Sequence, residues 1–193
     1  MKWDSNGYQY YTYDNYEFGL NYADWDIVYL NQVSGKAGVI STYSPDMNNL
    51  INLVNDKGGK TYQFGLLMSW AYSTNATRPQ FEAYDNNQLK MYQMISTTVK
   101  DIYYEVNKIS DVLPIGTAIQ NARNTILNNI GDELTRDTYH LEESKARYLA
   151  SLTAYTCLTG ESIEGLNNDV FTTTEYEQVK NVINKTLEQP YKI

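Results

Sequence analysis

The sequence predicts an α/β protein, a mostly parallel sheet wrapped by helices. Three observations carry this expectation. Compact apolar runs of strand length recur at 26–30, 61–70 and 111–116. Each is followed by a stretch with apolar residues at helical spacing. No internal repeat or low-complexity linker breaks the alternation, so the 193 residues read as one domain, with 161–193 a C-terminal helical extension of it.

The elements follow in order. "DIVYL" (26–30) reads as a buried strand that ends in the polar segment "NQVSG". Ser44 and Pro45 suit an N-cap and a first helical position, Met47, Leu50, Ile51 and Val54 keep helical spacing, and "DKGGK" stops that helix. "TYQFGLLMSW" (61–70) is the next strand. Tyr84, Met91, Ile95, Val99, Ile102 and Val106 then mark one face of a long helix within 80–107. "DVLPIG" (111–116) is a third strand, with Pro114 near its end, where a missing N–H is tolerated. Ala118, Ile119, Ala122, Ile126 and Leu127 mark a helix after it, and two more are expected at 142–158 and 174–188. Thr174 and Glu177 are spaced as a capping box for the last.

Composition narrows function. A net charge of −8 and a pI near 4.6 argue against nucleic acid or an anionic membrane as partner, since both need a basic field. No apolar run is long enough to span a membrane. The opening "MKWDSNGYQYYTYDNYEF" has no apolar core of a signal peptide, and the compartment is left open. One histidine and one cysteine leave only an all-carboxylate metal site, and no aspartate cluster has ion-loop spacing. No cofactor and no metal are expected. Cys157, within a helical pattern, reads as a small buried hydrophobe. The 19 tyrosines fit either a sugar-facing surface or an amphipathic stand-in for Phe and Leu.

In open parallel sheets, ligands sit beyond the carboxyl ends of the strands. "NQVSG", "SWAYS" and "GTAIQNAR" occupy those ends, and "RDTYH" (136–140) follows the helix after the last of them. His140 stands three residues after Asp137, as in the base end of a serine-hydrolase triad. Trp70, Tyr72 and Tyr139 lie in or beside these segments and suit either stacking on sugars or core packing. Arg123 and Arg147 reach toward the same region from their helices, with no role assigned beyond surface ion pairs.

Four stretches, "WDIVYLNQVSG" (25–35), "SWAYSTN" with "FEAYDNNQLKMYQMI" (69–95), "VLPIGTAIQNAR" (112–123) and "LTRDTYHLEESKARYLASLTAYTCLTG" (134–160), together resemble the SGNH, or GDSL-type, hydrolase superfamily, in a branch of acetylhydrolase type. The resemblance implies a three-layer α/β/α flavodoxin-like sheet and hydrolysis of esters, often acetyl groups on carbohydrates. It implies His140 as general base and Asp137 as its orienting carboxylate. Asn31, Gln32 and Ser34 stand roughly where the superfamily has a Gly-x-Asn-Asp block. One of the two amides would donate to an oxyanion or, equally, cap the strand-to-helix turn. With Trp70 and Tyr72 they complete the candidate substrate-facing set.

The superfamily's Gly-Asp-Ser or Gly-Asn-Ser block is absent. Ser5 lies in the turn "DSNG", and Ser34 follows the third strand of the expected fold, not the first. The first strand and helix of the domain are therefore expected to be missing, with "YQYYTYD" (8–14) as the second strand. Three readings follow: a fragment of a longer hydrolase, a chain completed by an upstream segment or a partner chain, or a degenerate relative that has closed the gap. The expected function is a carbohydrate acetylesterase-like hydrolase acting on a small-molecule or polysaccharide ester, its serine not encoded here. The alternative is a non-catalytic carbohydrate-binding or structural module on the same scaffold.

Overall fold

In the computed structural model, residues 2–4, 7–9 and 16–193 are described. Three parallel strands form the centre: β3 (Ile27–Leu30), β4 (Gln63–Leu67) and β5 (Ile109–Leu113), in the order β3-β4-β5. Tyr29 faces Gly65 in register, and Leu66 faces Val112. Helices fill the connections. α2 (Asp46–Gly58) joins β3 to β4, and α3 (Gln88–Glu105) joins β4 to β5. After β5 come α4 (Ile115–Ala122), α5 (Lys145–Thr159) and α6 (Thr173–Glu188). The protein is a mixed α/β fold with a small, open, all-parallel sheet, as the alternation of apolar runs predicts.

The N-terminal region departs from the expectation. β1 (Lys2–Asp4) and β2 (Gly7–Gln9) pair antiparallel as a separate two-stranded ribbon, followed by α1 (Tyr16–Asn21). Of the strand expected at 8–14, only Tyr8 and Gln9 fall among the described residues, and they belong to this ribbon. Ser5 lies outside the described residues.

Strand alternation divides the core in two. Val28, Leu30, Phe64, Leu66 and Val112 join Ile51, Val54, Met91, Ile95 and Val99 from α2 and α3. Tyr29, Leu67 and Leu113 join α4, α5 and α6 through Ile119, Leu149, Leu152, Val179 and Ile183. α4 is buried at all eight positions, so it is a core helix rather than an amphipathic surface one. α6, in the segment expected as an extension, packs directly on it.

Several boundaries differ from the sequence expectation for local reasons. Asp85 and Asn86 are left-handed (φ 54° and 51°), which splits the expected 80–107 helix into a 3-10 turn, Pro79–Tyr84, and α3. Asn87 caps α3 by accepting from the Lys90 N–H at 2.8 Å. Pro45 occupies the N-cap of α2, and Ser44 makes no cap. β5 ends at Leu113 because Pro114 has no N–H to continue the ladder. Its carbonyl instead accepts from Thr117 and Ala118 and opens α4, so Ile115 and Gly116 are helical. That helix ends at Ala122, and Ile126 and Leu127 lie in a separate 3-10 turn. The capping box of α6 is Thr172 with Glu175, not Thr174 with Glu177.

One close approach fixes the middle of the sheet. The Tyr29 side chain crosses β4 at Gly65 and donates its hydroxyl to Asp111 on β5. A Cβ at Gly65 would lie 2.3 Å from the Tyr29 ring, so the position requires glycine. Burial, then the Asp111 carboxylate, push the Tyr29 hydroxyl pKa well above its ordinary value. Gly65→Ala should cost about 1–3 kcal/mol of stability by overpacking. In urea unfolding, Tyr29→Ala in the same chain should relieve most of that cost, giving non-additive losses.

Candidate functional site

His140 and Asp137 sit on the loop between α4 and α5. The Asp137 Oδ1 accepts the backbone N–H groups of His140 at 2.8 Å and Tyr139 at 3.4 Å, an Asx-type turn. The Oδ2 meets the His140 Nδ1 at 2.7 Å. Thr138, between them, is left-handed at φ 73°, an unusual place for a β-branched residue. One carboxylate therefore fixes both the turn and the ring. Desolvation pushes the Asp137 pKa up, and the bonds from the His140 ring, the His140 N–H and the Tyr139 N–H outweigh it, leaving it at about 2.

The loop is tied to the exit of β4. The Trp70 Nε1–H donates to the Tyr139 carbonyl at 2.7 Å, and the Ser73 N–H donates to the Thr138 carbonyl at 2.8 Å. Gly116 makes this exit possible, since a Cβ there would lie 2.1 Å from the Ser69 carbonyl oxygen. The His140 ring then borders a cleft of about 450 Å³ walled by Leu67, Trp70, Leu113, Ile115, Leu141 and Ala154, with Arg147 and Ser151 as its other polar lining. Leu67 and Leu113 are the last residues of β4 and β5, so the cleft opens at the carboxyl end of the sheet. Among the described residues, no side chain hydrogen-bonds to the His140 Nε2.

The sequence-predicted residues fall into two groups. Trp70 shares the cleft with His140. Tyr72 is buried at 3% exposure; its ring meets Tyr139 edge-on at 5.9 Å and its hydroxyl meets the Ser34 Oγ at 3.3 Å. Ser34 thus reaches the dyad only through two tyrosines. Asn31 and Gln32 are not brought to the cleft. They line a separate hollow of about 340 Å³ with Leu30, Thr42, Met47 and Leu50. The Gln32 amide donates to the Thr42 carbonyl at 3.0 Å and accepts from the Val33 N–H at 2.8 Å, which is the turn-capping alternative. Among the described residues, no group of three or more His, Cys, Asp or Glu is placed to hold a metal ion. No helix among them is long and apolar enough to cross a membrane.

The model of the DUF4886 family, a domain of unknown function, matches residues 4–186. The chain belongs to the DUF4886 family. A crystal structure of a DUF4886 family protein from Bacteroides uniformis is similar at 31% identity and a TM-score of 0.83, over 92% of this chain and 68% of that one. No curated protein matches.

In this DUF4886 chain the dyad loop rests on Arg123, which is 8% exposed. Its guanidinium donates to the Ala71 carbonyl at 3.0 Å, the Glu133 carbonyl at 3.1 Å and the Gln120 Oε1 at 3.1 Å. Burial lowers its pKa to about 10, against the opposing pull of Glu133 and Asp132. It is an interior pin rather than the surface ion pair its sequence position suggests. Two residues escape the sequence reading. Ser151 has no motif around it and enters only because one face of α5 walls the cleft. Arg78 lies 59 residues before Asp137 (137 − 78) and is brought in by folding alone.

Two outcomes follow. Arg123→Met should cost roughly 2–4 kcal/mol in urea unfolding, and Arg123→Lys should recover little, because one ammonium cannot span three fixed acceptors. The Asp137 pKa lies below its ordinary 3.8, so its contribution is complete above about pH 4 and is lost as pH falls through about 2. Between those values the wild type should lose stability more steeply than Asp137→Asn, measured by urea unfolding at each pH.

Proposed function

We propose that this chain carries the base half of an SGNH-type ester hydrolase, with His140 as general base and Asp137 as its orienter. On this reading the sheet is the carboxyl-side part of a three-layer flavodoxin-like domain, β3-β4-β5. The observation that carries it is the dyad: Nδ1 held by a carboxylate at 2.7 Å, and Nε2 left without a partner among the described residues, beside an apolar cleft at the carboxyl ends of parallel strands. The chemistry is acyl transfer. A serine hydroxyl gives its proton to Nε2 as its oxygen attacks the acyl carbon, and the alcohol leaves with that proton. Water then repeats the sequence on the acyl-serine.

The serine, on this reading, arrives on a strand that pairs with β3, from an adjoining stretch of polypeptide or from a partner chain. β3 pairs only with β4 among the described residues, and its Ile27, Val28 and Tyr29 are just half-buried. The hollow beside it exposes Leu50 (43% exposed) on α2, an apolar flank suited to a further layer. An acetylated carbohydrate remains the expected ester. The alternative, a carbohydrate-binding module without chemistry, draws less support. Tyr72 is buried, and Arg78 covers a face of Tyr139.

Residues 1–193 alone should hydrolyse p-nitrophenyl acetate no faster than the His140→Ala variant, because triad members act as a unit. Supplying a strand that ends in Gly-Asp-Ser or Gly-Asn-Ser should raise the His140-dependent rate by on the order of 10⁴. His140-dependent hydrolysis by the chain alone would instead identify an internal nucleophile, with Ser151 the hydroxyl to replace first.

A further inference from the structure

Only four of the fifteen basic residues are arginines, at 78, 123, 136 and 147, and all four gather around the dyad loop. Arg123 pins the loop from below. Arg136 pairs with Glu143 and approaches the Asp137 Oδ2 at 4.0 Å. Arg147 lines the cleft, with Glu143 at 3.9 Å. The lysines do not join the dyad, which matters in a chain of net charge −8. Arginine differs from lysine in presenting a planar fork that matches a carboxylate.

Arg78 is the one of the four whose guanidinium meets no carboxylate and no hydrogen-bond acceptor among the described residues. It is half-buried, and its guanidinium carbon lies 3.4 Å from the centroid of the Tyr139 ring. Tyr139 in turn meets the His140 ring at 3.8 Å between centroids. Stacking holds a guanidinium by its face and leaves its in-plane N–H groups aimed outward. The arrangement is a fork stacked on the ring that also contacts the imidazole, its N–H groups without an acceptor among the described residues.

We propose that Arg78 binds a carboxylate on the ligand of this site, so that the substrates are esters carrying a second, free carboxylate. The proposal rests on the ester-hydrolase reading for the word ester, and on the Arg78–Tyr139–His140 stack for the carboxylate. A carboxylate held on the fork lies beside the Tyr139 ring, and the ester end of such a ligand reaches past that ring to the imidazole at the cleft, which Arg78 itself does not line. A neutral ester of the same size leaves the fork unused.

His140 is the only histidine, so its Hε1 proton gives one histidine Hε1 resonance, which reports binding without turnover. Monomethyl succinate and dimethyl succinate are titrated into the 193-residue chain at fixed pH and ionic strength. The monoester should shift the resonance saturably, and the diester should bind more weakly. Arg78→Gln should weaken the monoester about tenfold, the order expected for one charge-assisted pair, and leave the diester unchanged. Arg78→Lys should recover part of the loss. Equal binding of the two esters, or a monoester indifferent to Arg78→Gln, overturns the proposal. Equally strong Arg78-dependent binding of inorganic phosphate overturns the carboxylate assignment. The two readings fail separately: Arg78-dependent monoester binding without any hydrolysis in the strand-completed protein sinks the esterase and keeps the carboxylate site.

Discussion

Burial of the Arg123 cation is the constraint on which the site depends. A buried cation costs several kcal/mol unless its hydrogen-bonding capacity is met. Here the acceptors are the carbonyls of Ala71 and Glu133 and the side chain of Gln120. The first lies just past β4, the second in the dyad loop and the third on α4. None can drift without exposing an unsatisfied charge. Glu133 extends the arrangement, accepting from Thr74 N–H at 2.6 Å and from Gln88 at 2.6 Å, while Gln88 accepts from Gln120 at 3.1 Å. The β4 exit and the dyad loop are thereby tied together, by the polar network around Arg123 and by the Trp70 bond to Tyr139.

The sheet beneath is tied together on one face. On the α5 side, Tyr29 spans all three strands by crossing Gly65 to reach Asp111, and Cys157 sits near the same carboxylate. Burial, then Asp111, raise the Cys157 thiol pKa to about 11, so it remains a neutral thiol, in keeping with a packing role. Among the described residues β3 and β5 each pair only with β4, so both are edges of the sheet. Parallel strands are ordinarily covered on both faces and flanked by neighbours. The His140 cleft lies at the carboxyl ends of β4 and β5.

The fold was legible where burial alone decides, and less so where backbone geometry decides. The runs at 26–30 and 61–70 contain β3 and β4, and α3 shows its periodic face because it packs along one core. The sequence could not show the left-handed pair Asp85 and Asn86, which ends the preceding turn, nor the choice of Thr172 over Thr174 as cap, since both threonines precede an acidic residue at the right spacing. The dyad was legible for a different reason: Asp137 and His140 interact across three residues, within reach of local pattern. Arg78 was not, because its partner is the face of a tyrosine 61 residues away (139 − 78), and a cation over a ring leaves no spacing signal. Asn31 and Gln32 were placed by analogy with a strand end, and the turn claimed the Gln32 amide first.

What is local and what is tertiary in the dyad can be separated by its hydrogen bonds. Every hydrogen bond to the Asp137 carboxylate comes from residues 139 and 140, with Arg136 at 4.0 Å also a sequence neighbour, so the turn itself orients the ring against the carboxylate. The position of the ring at the cleft is a tertiary property, set where Trp70 and Ser73 hold the carbonyls of Tyr139 and Thr138. The local half needs only an Asp-x-x-His sequence and a left-handed residue between, and such turns can form on many scaffolds. The tertiary half needs β4 to end beside α4, and that in turn needs Gly116 to admit the Ser69 carbonyl. The placement of the His140 ring at the cleft therefore rests less on the carboxylate that touches it than on the glycine and the indole that hold its loop at the exit of β4.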